Sequence, residues 1–323
     1  MFALCLFLGY GISFSAMQAN TIAEALNNAF DIPTYFSGIV IAVLAGIIVA
    51  GGFRSIAKFA ERIVPFMGIA FVLCALGVTL MNLSAVPNML LDIIMNAFGI
   101  HEAGAGALGA AIKNGIQRGL YSNEAGAGSV PHAAAAAAPN PNHPAAQGYV
   151  QTLGVFIDTI VLCTCTAFII LLSNTPISGE MEGISLTQSA MAVHLGGWGD
   201  MFVAAAITLF AFTSVVANYA YAESNLHLFK MDNRIGRTMY TCVYLLMVFW
   251  GATASLKLVW SMADVALGLM TLVNVYAVYK LTPTIVNITK DYHEKLTQPL
   301  TLSFKPSDIH FQGKTEKGIW SEK

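Results

Sequence analysis

The chain has 323 residues, 56% of them hydrophobic and only 11% charged, where soluble globular domains carry about 25% charge. That composition excludes an ordinary soluble globule, and a formal net charge of −2 excludes the basic field that gathers nucleic acid. Of the 16 Lys and Arg and 18 Asp and Glu, eleven fall in residues 281–323, so long uncharged runs dominate the preceding 280 residues.

A helix needs about 20 mostly apolar residues to cross a hydrocarbon core roughly 30 Å thick, because unpaired backbone groups are too costly in lipid. In chain order, residues 1–17, 36–52, 63–82, 148–173, 201–221, 238–256 and 258–279 meet or approach that length. An eighth, irregular crossing is predicted within residues 104–138, where Lys113, Arg118 and Glu124 interrupt the hydropathy. Residues 1–17 lack the positively charged start of a signal peptide, which makes them a crossing. A chain whose first residue already lies in a span is expected to be an N-terminally shortened copy.

Cationic loops stay cytoplasmic. Arg54, Lys58 and Arg62 mark one such loop, Lys230, Arg234 and Arg237 another, and Lys280 with six later lysines marks the tail, whereas residues 18–35 and 174–200 hold no Lys or Arg. Eight crossings with both ends cytoplasmic follow, dividing the chain into a transmembrane domain (residues 1–280) and a cytoplasmic tail (residues 281–323).

The most unusual stretch is GIQRGLYSNEAGAGSVPHAAAAAA, residues 115–138. Gly126 and Gly128 permit backbone conformations closed to other residues, and Pro131 has no amide donor, so the helix is predicted to unwind over residues 122–129. At membrane depth such unwinding survives only where the freed backbone faces protein or a cavity. The two ends of a broken helix carry opposite partial charges that suit a carboxylate and a small cation, and Asn123, Glu124 and Ser129 add side-chain oxygens. Gly104, Gly106 and Gly109 fit close helix packing instead.

Asp158 lies near the middle of its crossing, where an ionised acid costs roughly 2.5–3.5 kcal/mol on insertion scales. It is expected to face the protein, with Thr159 beside it and Thr166 nearly on the same face, serving either coupling or plain hydrogen bonding to neighbours. Asp264 is only six residues into the last crossing. Thr213 and Ser214 either bond their own helix carbonyls or offer oxygens to a sodium ion, a hard cation. Gln18 fits an amide donor to a substrate or interfacial exposure. The five cysteines read as small buried hydrophobes, neither disulfide framework nor zinc site. No HExxH, GxSxG or phosphate-loop pattern points to an enzyme.

RGLYSNEAGAGSVP (residues 118–131) resembles the signature of the alanine or glycine:cation symporters, as do QGYVQTLGVFIDTIVLCTCTAFII (147–170), FAFTSVVANYAYAE (210–223), MQANTIA (17–23) and the ERIVPFM within 51–67. The resemblance extends to about His293. It implies a partial LeuT-type fold of two inverted five-helix repeats, and sodium-coupled symport of a small neutral amino acid, alanine or glycine, by alternating access in the bacterial inner membrane. Sodium would be a co-transported ion, with no other cofactor. It further implies substrate contacts from Gln18, Asn123, Gly126, Gly128 and Ser129, and a sodium site including Thr213 and Ser214. Glu124, Asp158 and Thr159 are the coupling or gating candidates. Family chains usually have eleven crossings, and the N-terminal helix and first two core helices, including a GTGN-type motif, have no counterpart here. Two expectations follow: a transporter whose missing part is a separately encoded N-terminal fragment, or a transport-inactive remnant.

Overall fold

The computed structural model describes residues 1–98, 105–175, 182–297 and 303–309. Among these the regular structure is helical: α1 (Phe2–Phe30), α2 (Thr34–Ala50), α3 (Gly52–Met81), α4 (Val86–Ala97), α5 (Ala105–Asn123), α6 (Val130–Ala136), α7 (Pro144–Leu172), α8 (Ile184–Leu195), α9 (Gly197–Glu223), α10 (Arg234–Thr253) and α11 (Leu256–Leu296). Five helices are long and apolar enough to cross a membrane, namely α1, α3 over Arg54–Met81, α7, α9 and α11, and α2 is a shorter apolar helix. The architecture is that of an all-α integral membrane protein. The α5–α6 pair and α10 occupy the other two predicted crossings.

The first crossing is longer than the sequence predicts. Residues 18–30 are not an outer loop but the second half of α1, which ends only where Asp31 takes a left-handed φ of 54°, a common helix terminator. Hydropathy drops there because of polar residues whose partners lie in the protein. Asn20 Nδ2 donates to the Gly251 and Ala254 carbonyls at 2.9 and 2.8 Å, pairing orphan carbonyls at the end of α10. Asn28 Nδ2 donates to Ser185 Oγ and Gln188 Oε1 on α8, and Ser185 Oγ donates to Glu24. Gln18 is therefore mid-helix, not at a boundary.

Three further boundaries differ. Helices α4 and α8 form inside stretches that hydropathy leaves as loops, since each is too short to span. Helix α11 passes the expected domain boundary at residue 280 and continues through Pro283 to Leu296. Four cysteines are half-buried and Cys242 is exposed, rather than buried as expected, because α3, α7 and α10 present one side outward.

Helix α1 is the centre of the bundle, packed by α2, α9, α10 and α11. Its Ala16, Ala19 and Ala23 are fully buried, small side chains that let backbones approach in the absence of a strong hydrophobic drive within lipid. The closest approach is at Gly251 of α10, where a Cβ would collide with the backbone of Ala16. Tyr244 of α10 lies fully buried across the same seam, its hydroxyl 2.7 Å from Ser15 Oγ and donating to the Val215 carbonyl of α9. A second apolar cluster joins α3, α7, α8 and α9 around Ile169, Met191 and Ala204.

Gly251→Val is expected to separate α1 from α10 and destabilise the bundle by about 1–3 kcal/mol, the usual cost of overpacking. Gly268→Ala, where a Cβ meets nothing within 4 Å, serves as the silent control. Thermal unfolding of the two variants in detergent checks this, and equal midpoints would show that the α1–α10 seam is not a close contact.

Candidate functional site

The predicted break is present. Helix α5 stops at Asn123, α6 starts at Val130, and between them Glu124, Gly126 and Gly128 take φ values of 55°, 92° and 91°. Glycine adopts such angles freely, whereas Glu124 pays roughly 1–2 kcal/mol for its left-handed backbone and needs holding. Ser129 Oγ, fully buried, donates to Glu124 Oε2 at 2.5 Å. The Tyr10 side chain of α1 lies beside both Glu124 and Ser129.

On the opposite side Asn123 is committed at both ends. Its Oδ1 accepts the Ala125 amide at 2.9 Å and its Nδ2 donates to Thr159 Oγ1 of α7 at 2.8 Å. Ser122 Oγ donates to Asp158 Oδ2 at 2.6 Å. From α11, Asn274 Nδ2 donates to the Gly126 carbonyl at 2.9 Å, and a Cβ at Gly128 would come within 2.8 Å of Asn274 and 2.6 Å of Phe2. The break is thus braced by α1, α7 and α11. Of these braces Thr159 and Asp158 are legible as candidates in the sequence, while Tyr10 and Asn274 are not. The signals for them are a tyrosine between two glycines (GYG) and a single asparagine in an otherwise apolar span.

Both flanking helices are irregular where they touch the break. Tyr10 lies in a π-helical turn of α1, Gly9–Ser13, and Asp158 and Thr159 lie in one of α7, Ile157–Leu162. Such turns widen a helix by one residue and recur at functional sites. Helix α6 has seven residues against nineteen in α5. The expected pair of charged helix ends is therefore lopsided, with the C-terminal, cation-favouring end of α5 the stronger.

A cavity of about 280 Å³ opens beside the break, lined in part by Ser122, Asp158, Thr166, Thr187 and Phe210. Asp158 and Thr166 share this wall, as their spacing predicts. Thr213 and Ser214 of α9 both donate to the Phe210 carbonyl, at 2.8 and 3.3 Å, the intrahelical bonding that the sequence leaves as one alternative. Gln18 is half-buried, and its neighbour Met17 accepts the Tyr121 hydroxyl of α5 at 2.7 Å. Asp264 forms a two-pronged pair with Arg118, both contacts at 3.2 Å, with the guanidinium 4.7 Å from the Trp260 ring centre. Each of these two charges at membrane depth thereby has a partner. Gly109 faces open space rather than a close neighbour, and Gly104 lies outside the described residues.

The sodium:alanine symporter family, a family of transporters, matches this chain over residues 1–306. Among curated relatives, the amino-acid carrier protein AlsT of Bacillus subtilis (strain 168) is 41% identical over 309 residues, 96% of this chain and 65% of AlsT. The probable sodium/glutamine symporter GlnT of the same organism is 39% identical over 90% of this chain and 60% of its own length. The sodium/alanine symporter AgcS of Methanococcus maripaludis is 35% identical over 89% of this chain and 63% of its own length. The chain spans under two thirds of the length of these relatives. With all but its last residues inside the family match, the chain belongs to the sodium:alanine symporter family.

Proposed function

We propose that the chain carries a small neutral amino acid, alanine or a close relative, together with sodium, by alternating access in the bacterial inner membrane. The start of α3, with Arg54, Lys58 and Arg62, and the α9–α10 connection with the start of α10, carrying Lys230, Arg234 and Arg237, face the cytoplasm. The observation that carries this reading is the break at Glu124–Ser129, backbone unwound at membrane depth yet braced by three helices. Regular packing has no use for it, whereas a ligand-sized substrate does. The names of the relatives support the substrate and the ion.

In this reading Gly126 leaves room for the substrate beside the backbone, Gly128 lets the backbone of the site approach Asn274 and Phe2 closely, and Ser129 with Gln18 completes the polar lining. Asn123 positions the break, since its own amide is already engaged. Glu124, Asp158 and Thr159 couple the break to α1 and α7. Sodium contacts Thr213 and Ser214, whose oxygens keep lone pairs after their protons are donated to Phe210. Sodium stabilises the form that binds the amino acid, so the gradient drives accumulation.

Vesicles containing the chain are expected to accumulate labelled alanine under an inward sodium gradient. Equal uptake with potassium would remove the coupling, and absence of both uptake and binding would remove the carrier function.

Asn123→Ala loses two hydrogen bonds, each worth about 0.5–1.5 kcal/mol, and is expected to weaken alanine affinity at fixed sodium by several-fold to tens of fold at normal expression. Thr159→Val loses one bond and has the smaller effect. Unchanged affinity in Asn123→Ala would remove Asn123 from the site.

Ser214→Ala is expected to raise the sodium concentration needed for half-maximal uptake by several-fold while leaving the maximal rate at saturating sodium nearly intact. A titration of uptake against sodium measures this, and an unshifted curve would exclude Ser214 as a ligand.

A further inference from the structure

A cluster that the transport function does not use lies where α6 ends, α7 begins and α11 runs past the bundle. His143 is 0% exposed there although it stands in a loop. Its Nδ1 accepts the Ala145 amide at 3.1 Å, capping α7, and its Nε2 is 3.0 Å from Asp291 Oδ2 of α11. An accepting Nδ1 leaves the ring proton on Nε2, which donates to Asp291. The same carboxylate oxygen accepts Lys295 Nζ at 3.0 Å, and Lys295 also donates to the Ser303 carbonyl at 3.2 Å.

Beyond α11 the chain folds back onto this point. Phe304 is 4% exposed, its ring centre 5.1 Å from that of His143 and edge-on to it, and the Tyr292 ring lies 4.9 Å from the same imidazole. The Phe304 amide donates to the Asn142 carbonyl at 3.0 Å. A side-chain network and a backbone bond therefore tie Asp291, Lys295 and Phe304 to the α6–α7 loop. A fully buried ring packed by two aromatic side chains and bonded at both nitrogens is a built anchor, unlike an exposed ion pair, which contributes little.

The anchored loop leads directly to the second half of the broken helix. Pro139 and Pro141 lie between α6 and His143, and each fixes its φ and removes a rotation, so displacement at His143 is passed to α6 rather than absorbed. Helix α6 is held at its other side by His132, whose Nδ1 is 3.2 Å from Ser224 Oγ and 3.3 Å from Asn225 Nδ2 at the end of α9. Between α6 and α9 lies a cavity of about 450 Å³ lined in part by His132, Ala136, Ala220, Glu223 and Arg237.

We propose that Asp291, Lys295 and Phe304 form a strap that holds the α6–α7 loop, and with it α6, closed over this cavity, and that the strap must loosen for the cavity to open. The proposal rests on the alternating-access reading above, because it assigns the strap to the movement of one half of the break.

The test places a reporter in the cavity floor with Ala220→Cys, a small change at a buried position, and measures its labelling by a membrane-impermeant maleimide applied to each face of vesicles in turn. The unsubstituted chain, labelled in parallel, accounts for the five native cysteines. Asp291→Ala and, separately, Phe304→Ala are added to the reporter. Phe304 lies outside the membrane helices, so its removal keeps the test valid even where Asp291→Ala fails to fold. Each variant is expected to speed tryptic cleavage after Lys295, which precedes Leu296, and to raise labelling at position 220 several-fold from one face. Faster cleavage with unchanged labelling would overturn the proposal, since the tail would then be docked without holding α6. Unchanged cleavage in Phe304→Ala would overturn it too, by showing that these contacts do not hold the tail. Failure of the transport reading is distinct: the unsubstituted chain would take up no alanine while the labelling response remained.

Discussion

Everything in this bundle depends on one rule of the membrane interior, that a backbone amide or carbonyl with no partner is too costly to leave there. A helix obeys it without help. The six residues between α5 and α6 do not, and the structure around them is organised to supply what the helix no longer does. Glu124 carbonyl accepts the Ala127 amide, Gly126 carbonyl accepts Asn274, and Ala125 amide donates to Asn123. These groups freed by the break are thus paired within the protein, two of them by side chains that the end of α5 and α11 supply.

Those bonds come from helices that are themselves fixed by a chain of aromatic contacts. Tyr221 meets Tyr10 at 5.4 Å between ring centres, Tyr10 meets Phe14 at 4.7 Å, Phe14 meets Tyr121 at 5.4 Å and Tyr121 meets Trp260 at 5.3 Å. Each such pair contributes about 0.5–1.5 kcal/mol beyond the area that it buries. The column runs from α9 through α1 and α5 to α11, so two of the three helices that brace the break share one wall, and Arg118, paired with Asp264, stacks on its last ring.

Hydropathy made most of the spans legible, and the glycine and proline pattern made the break legible to within two residues, because both signals are local. What sequence could not show is set by partners far along the chain. The second half of α1 carries Asn20, Glu24 and Asn28, which read as a loop until α8 and α10 are seen to pair with them. Asn274 gives no local sign that it bonds a glycine 148 positions away. Asn123 is a candidate from its surroundings, and the structure adds what the sequence could not, that its amide nitrogen donates one proton to Thr159 and its carbonyl oxygen accepts the Ala125 amide. The two π-helical turns leave no mark in hydropathy at all, since one extra residue in a turn does not alter composition.

Those turns bear on which parts of the molecule can move. A π turn interrupts the regular i to i+4 bonding and gives a helix a place to change register at modest cost. In α1 and α7 these turns fall beside the break, at Tyr10 and at Asp158 and Thr159. Elsewhere α1 is locked: Gly251 of α10 lies against the Ala16 backbone, and Asn20 ties α1 to the end of α10. The two π turns and the break therefore lie in one layer, in which α7 bonds the break through Asp158 and Thr159 and α1 meets it at Tyr10. Beyond that turn α1 is regular again, and there its close seam with α10 and the Tyr244 bond to α9 tie the same helix into the rest of the bundle.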